Sequence, residues 1–185
     1  MSKYFASMQK LLPQHLLSRI VGRLAKSENP RVSAIFIEQF ARIYDISLAE
    51  AERKKLSDYS SFNDFFTRSL DASARPMPDA INELGSPVDG CVSQLGAITD
   101  GQLFQAKGQR YSLRGLAGNA SHGFEGGDFC TIYLAPNDYH RIHLPCAGTL
   151  SQTIAFPGAL FSVNGITEEY IEGLFLRNER LVSLF

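Results

Sequence analysis

The residues with the most chemistry to offer fall in one run, Thr131 to Cys146, which holds two of the four histidines, His140 and His143, beside Asp138 and Arg141. On a helix, imidazoles three residues apart share a face and can grip one metal. In extended chain an odd separation sends them to opposite faces. Pro136-Asn137-Asp138 is turn chemistry, because proline presets φ and Asn and Asp can bond their own backbone. Pro145 keeps Leu144 extended, so a long helix through the histidines is disfavoured. The pattern therefore favours two histidines with separate jobs. A zinc site from His140, His143 and Cys146 would need three close ligands, bounded by prolines, to converge on one tetrahedral ion. No metal is expected.

An imidazole titrates near neutrality, so either histidine can pass protons at working pH. Asp89, in Pro87-Val88-Asp89-Gly90, is a carboxylate that could orient such a base and stabilise its charged form. Its ordinary reading is a turn residue, since Asp-Gly is a common hairpin signal. Lys107-Gly108 offers an amine for a Schiff base, against the commoner reading of a solvated lysine at a strand end.

Several elements must position these groups. Phe129 to Leu134 reads as a strand apolar on both faces, hence buried on both. Asn29 can cap and Pro30 can open a helix whose stripe is Val32, Ile35, Phe36, Phe40 and Ile43. Ser47 with Glu50 suggests a capping box for a short helix to about Leu56, and Ser61 with Asp64 another, opening Phe62-Asn63-Asp64-Phe65-Phe66. Those three Phe read as core. Arg75-Pro76-Met77-Pro78 is an extended linker that ends the helical part. From Gly85 onward the texture is short strands and turns: Cys91 to Leu95, Leu103 to Ala106, Gly148 to Phe156 and Arg180 to Phe185. A short helix is expected from Thr167, and a mobile loop from Leu116 to Asp128. The last strand stops in mid-pattern and lacks an evident partner.

The chain of 185 residues is long enough for one domain with a helical appendage, and its 44% hydrophobic content with 13 Phe can fill a core. A formal net charge of −1 argues against nucleic acid as a general partner. The three cysteines, at 91, 130 and 146, make no disulfide framework and suit a reducing compartment. Residues 1–27 contain Lys3, Lys10, Arg19, Arg23 and Lys26 and no acidic residue. Met8, Leu12, Leu16, Ile20 and Leu24 recur at every fourth position, an amphipathic helix broken or kinked at Pro13. Such a helix either docks on a core, the commoner reading, or lies on anionic lipid, towards which the missing acids tilt the balance. The fold expected is α+β, with amphipathic helices over 1–78 and a β-rich domain over 79–185.

The chain resembles the pyruvoyl-dependent phosphatidylserine decarboxylases along nearly its whole length. The resemblance is carried by Phe62-Asn63-Asp64-Phe65-Phe66-Thr67-Arg68, Pro87-Val88-Asp89-Gly90, Lys107-Gly108 with Tyr111-Ser112-Leu113, the run Leu134 to Pro145, Phe156-Pro157-Gly158-Ala159-Leu160-Phe161-Ser162-Val163-Asn164 and Arg177-Asn178-Glu179-Arg180. It implies a precursor that cleaves itself before the serine of a Leu-Gly-Ser motif, leaving a pyruvoyl group on the downstream fragment. By position in the family's motifs, His143 is the base for that serine and Asp89 holds it. His140 reprotonates the substrate after carbon dioxide leaves phosphatidylserine, giving phosphatidylethanolamine.

The resemblance also implies an anionic phospholipid membrane as partner, a peripheral place on the cytoplasmic face of the inner membrane, a small pyruvoyl-bearing chain from the same precursor, and a homodimer. The pyruvoyl-forming motif belongs downstream of Arg180, so this sequence corresponds to most of the large chain without the electrophile. Leu84-Gly85-Ser86 is on the wrong side of the histidines and reads as a coincidence in a turn. The rivals are a catalytically inactive lipid-binding or interaction module and, further off, a metal-dependent hydrolase.

Overall fold

Helix formation begins where the sequence caps it. In the computed structural model of the chain, which describes residues 2–78, 82–104 and 109–185, the side chain of Asn29 accepts from the N–H groups of Arg31 at 3.1 Å and Val32 at 3.4 Å. Pro30 opens the helix Pro30–Ile43 (α3). Two helices precede it, Ser2–Gln9 (α1) and Gln14–Ala25 (α2), separated around Pro13 as its missing N–H requires. Phe62–Phe66 (α4) starts at Ser61, whose hydroxyl accepts from the N–H of Asp64 at 3.2 Å. The strands follow: Cys91–Ala97 (β1), Gln102–Phe104 (β2), Arg110–Ser112 (β3), Asp128–Tyr133 (β4), Gln152–Phe156 (β5) and Arg180–Leu184 (β6). Short helices Leu113–Ala117 (α5), Gly165–Tyr170 (α6) and Leu174–Arg177 (α7) lie among them, so helices lead and strands come after, an α+β chain.

Among the described residues the strands pair in twos: β1 with β4, β2 with β3, and β5 with β6. β2 and β3 are antiparallel with Leu103 opposite Tyr111, and β5 and β6 are antiparallel with Ile154 opposite Val182. The chain forms two compact units, each discontinuous in sequence. One comprises Met1–Ser18, Val92–Thr131 and Thr149–Phe185, the other Arg19–Cys91 and Ile132–Gly148. Residues 1–78 contribute to both.

In the first unit Ala6 of α1 is buried with Phe161, Ile171 and Leu174. Gln9 accepts from the Ser162 N–H at 2.9 Å. A second cluster joins Ile98, Leu103 and Leu113. Two sequence motifs meet here. Asn178 accepts from the Phe161 N–H at 3.0 Å and donates to its carbonyl at 2.8 Å, and the Arg180 guanidinium lies 4.3 Å from the Phe156 ring centroid. Gly158 is required at this crossing, because a Cβ there would meet the Arg177 carbonyl oxygen and the Glu179 nitrogen at 2.5 Å. In the second unit Ile37, Ala41, Tyr59 and Phe65 make the core, with Phe40 and Phe62 packed against it.

Four expectations change. Ser47 and Glu50 open no helix. The Ser47 hydroxyl accepts from the Ala49 N–H, and the segment is extended instead, Ala51 bridging Leu70 with bonds from Glu52 N–H to Ser69 O and from Asp71 N–H to Glu50 O. The stretch from Leu116 closes α5 and continues as a 3₁₀ turn over Gly118–Gly123, with Ser121 buried, so backbone bonds and burial replace a loop. The last strand has a partner, β5. β4 forms but is not buried on both faces: Cys130 and Tyr133 are exposed, as a strand in a two-stranded ribbon leaves them. Lys107-Gly108 lies outside the described residues.

Candidate active site

All three residues singled out for catalysis, Asp89, His140 and His143, belong to the second unit. The segment from Ala135 to Cys146 is non-helical, as its prolines require. It is tied down at its turn: the Asp138 carboxylate accepts from the Ala135 N–H at 2.6 Å, and the Asp138 N–H bonds the Ala135 carbonyl at 2.9 Å. Its far end is pinned by backbone, with the His143 N–H donating to Pro87 O and the Gly85 N–H to Pro145 O, both at 2.8 Å.

The end of α4 and the residues just beyond it supply three more holds. The Phe66 ring packs on the His140 imidazole with centroids 4.0 Å apart. Arg68 Nη2 donates to the carbonyls of Asn137 at 3.3 Å and Asp138 at 3.4 Å, and Arg141 Nε donates to the Thr67 carbonyl at 2.7 Å. The aromatic run therefore does two jobs. Phe65 is fully buried in the core, while Phe66 reaches the histidine loop. The helix itself is fixed by Arg53, whose guanidinium grips Asp64 at 2.6 and 2.8 Å and lies 4.2 Å from the Tyr59 ring centroid.

The two imidazoles have different partners. His140 Nδ1 is 2.8 Å from the Asp138 carbonyl oxygen. A carbonyl only accepts, so Nδ1 carries the hydrogen and Nε2 is the nitrogen that can exchange a proton. His143 is exposed, and its Nε2 lies 2.8 Å from the hydroxyl of buried Tyr139, the two rings stacked at 5.5 Å. Among the described residues no three His, Cys, Asp or Glu side chains converge on one point.

Asp89 bonds neither histidine. Its carboxylate is taken by Arg75, Nε to Oδ1 at 2.9 Å and Nη2 to Oδ2 at 2.6 Å, and the same guanidinium reaches Glu50 at 3.0 and 3.1 Å. The Arg75 bonds hold Asp89 below the usual carboxylate range, against the opposing effect of burial. Ser86 is a turn residue, its hydroxyl donating to Val88 O at 2.6 Å. A cavity of about 260 Å3 lies beside these groups, lined among others by Glu50, Arg68, Arg75, Asp89, Asp138 and Tyr139.

Sequence reasoning missed Arg75, Tyr139, Phe66 and Arg68. Arg75 sat in what read as a linker, although an arginine placed before Pro-Met-Pro on a stiff extended segment is a pointer to a fixed partner. Phe66 falls within an aromatic run that reads as core, and Arg68 enters only as the end of a motif that carries the resemblance. Of the five residues expected to face lipid, Met8, Leu12, Leu16, Ile20 and Leu24, all are exposed, between 42 and 53%. No buried residue occurs on α2, and no described helix is long and apolar enough to cross a membrane.

The family model described as phosphatidylserine decarboxylase matches residues 62–185, which include Arg68, Arg75, Asp89 and the histidine loop, and a second described as PSD matches residues 4–45. The phosphatidylserine decarboxylase proenzyme of Shewanella sp. (strain ANA-3) is 52% identical over 188 residues, covering 100% of this chain and 64% of the relative. That of Acinetobacter baylyi is 50% identical over 183 residues, covering 98% and 64%. The chain thus spans less than two thirds of the length of these relatives. With most of its length matched, the chain belongs to the phosphatidylserine decarboxylase family.

Proposed function

We propose that the chain is the histidine-bearing part of a pyruvoyl-dependent decarboxylase that converts phosphatidylserine to phosphatidylethanolamine at a lipid surface. The observation that carries it is the division of labour in the histidine loop: one imidazole half-buried with Nδ1 committed, the other exposed beside a phenol. The donor set suits a pyruvoyl group. Two imidazoles and a phenol on one loop can hold a carbonyl and move a proton, and none is in an ion pair among the described residues. That group supplies an electrophilic carbonyl that captures the substrate amine and draws electrons away from the bond to the carboxylate.

His143, reachable from solvent, takes the proton of the serine hydroxyl during self-cleavage, with ionised Asp89 and the Tyr139 hydroxyl supporting its charge. His140, its ring fixed by Phe66 and the Asp138 carbonyl, delivers a proton from Nε2 to the substrate carbon once carbon dioxide has left. The exposed apolar stripe of α2, with Arg19, Arg23 and Lys26 around it, keeps the protein on anionic lipid.

The test joins the downstream segment in cis and measures self-cleavage by mass and carbon dioxide release from phosphatidylserine micelles. Wild type should do both. His143→Ala or Asp89→Asn should accumulate intact precursor, and His140→Ala should cleave yet decarboxylate poorly. The opposite pattern reverses the two roles, and a wild type that neither cleaves nor releases carbon dioxide ends the proposal.

A further inference from the structure

Arg68 is the most anomalous charge in the chain. It is 4% exposed, yet it has no salt-bridge partner, and its Nε and Nη1 find no hydrogen-bond acceptor among the described residues. Its two bonds, both from Nη2, are long ones to carbonyls, and the Phe65 ring centroid lies 5.7 Å from its guanidinium carbon. Burial disfavours its charge. A buried cation with unused donors is costly unless an anion meets it. Arg68 lines the 260 Å3 cavity beside the histidine loop. Four carboxylates line that cavity, Asp45, Glu50, Asp89 and Asp138. Arg75 bonds Glu50 and Asp89, the Ala135 N–H bonds Asp138, and the charges of Asp138 and Asp89 favour the Arg68 cation without bonding it.

We propose that Arg68 anchors a phosphate subsite in this cavity, its planar fork receiving the phosphodiester of a glycerophospholipid head group. The inference rests on the decarboxylase reading, which also decides between the two anions of the substrate. A carboxylate bonded to a buried guanidinium is stabilised in the ground state, and that stabilisation is lost as its charge leaves with carbon dioxide, so Arg68 there would slow the reaction. On the phosphodiester, which does not react, the same bonds persist through the transition state and hold the head group in register with His140.

The experiment is calorimetric titration of the 185-residue chain with glycerophosphoethanolamine, alone and in the presence of L-serine, and with inorganic phosphate in a separate run. It needs no pyruvoyl group and no turnover, so its failure is separable from failure of the decarboxylase assay. Saturable binding of glycerophosphoethanolamine is expected, weakened at least about tenfold in Arg68→Met and by less in Arg68→Lys, which keeps the charge and loses the fork. Inorganic phosphate should bind more weakly and L-serine should not compete. Should Arg68→Met fail to fold by circular dichroism, Arg68→Lys carries the test. Binding unchanged in the folded variant overturns the subsite, competition by L-serine makes it a carboxylate site instead, and tighter binding of inorganic phosphate overturns the lipid source.

Discussion

Arg75 holds Asp89 through two nitrogens at 2.9 and 2.6 Å while the same guanidinium also reaches Glu50 and the Ala74 carbonyl. The carboxylate proposed to support His143 is therefore kept ionised by a cation contributed from fourteen residues upstream. Its pKa in the fold lies below the unfolded value, chiefly because of the Arg75 bonds. A depressed carboxylate contributes stability that is present above the unfolded pKa of about 4 and is lost as pH falls through the lower folded value. Glu50 is shifted in the same sense by the same guanidinium. In Arg75→Gln the Asp89 midpoint should rise towards the ordinary range, and acid unfolding should begin at higher pH. Carbon-13 titration of the side-chain carboxyls measures it. An Asp89 midpoint that stays put would show that something other than Arg75 holds it.

Tyr139 and His143 offer a cleaner separation. The Tyr139 hydroxyl is 2.8 Å from His143 Nε2, and the rings stack. Tyr139→Phe keeps the ring in its buried place and removes only that bond. Loss of one hydrogen bond to a reacting group, about 1 kcal/mol, predicts self-cleavage slowed roughly fivefold in the extended precursor, with the fold intact. Unchanged cleavage would mean that the phenol is a spectator.

The local chemistry of the chain was readable. Asn29, Pro30 and Ser61 cap as their side chains dictate, Pro13 separates two helices, and the prolines around the histidines forbid a helix there. What escaped depends on pairing at a distance. Ser47 and Glu50 have the letters of a capping box, but the segment gains more by bridging Leu70 and by giving Glu50 to Arg75, contacts 19 and 25 residues away in sequence. Asp89 stood out as a carboxylate that could orient a base, while its partner in the fold, Arg75, lay in a segment that reads as a linker. The last strand had no evident partner for a similar reason, since β5 lies over twenty residues upstream. Periodicity finds faces and cannot find partners.

Arg53 and Asp64 fix the helix from which the histidine loop hangs. Their bidentate pair, 2.6 and 2.8 Å, is about one third exposed on each side, and Asp64 also accepts from the Ser60 N–H at 3.1 Å. A double-mutant cycle with Arg53→Ala and Asp64→Ala should return a coupling on the order of 1 kcal/mol in urea unfolding, above the median for exposed pairs because the geometry is bidentate. The Arg53 bonds hold Asp64 below the usual carboxylate range. The coupling should therefore be full above about pH 4 and fade as pH falls through the lower folded value. A coupling near zero at pH 7 would mean that α4 is held by Phe65 and the core alone.

Deleting the N-terminal helices to test lipid binding would damage the protein, because Ala6 is part of a buried cluster and Gln9 bonds Ser162. Point changes on α2 avoid that, since no residue of this helix is buried. Leu16, Ile20 and Leu24 lie one turn apart along one stripe, each more than 40% exposed, so replacing all three by Ser leaves the core untouched. Partial burial of three such side chains in an interface is worth roughly 3 kcal/mol together, which predicts about a hundredfold loss of partition onto vesicles containing anionic lipid. Reversing Arg23 and Lys26 to Glu should cost roughly 1 kcal/mol per charge removed and act only on anionic vesicles, with an effect that shrinks as salt rises. Sedimentation with neutral and anionic vesicles separates the two contributions. Wild-type partition that survives the triple substitution would mean that another surface meets the lipid. The exposed residues Ile35 and Ile43 of α3 are the next to change.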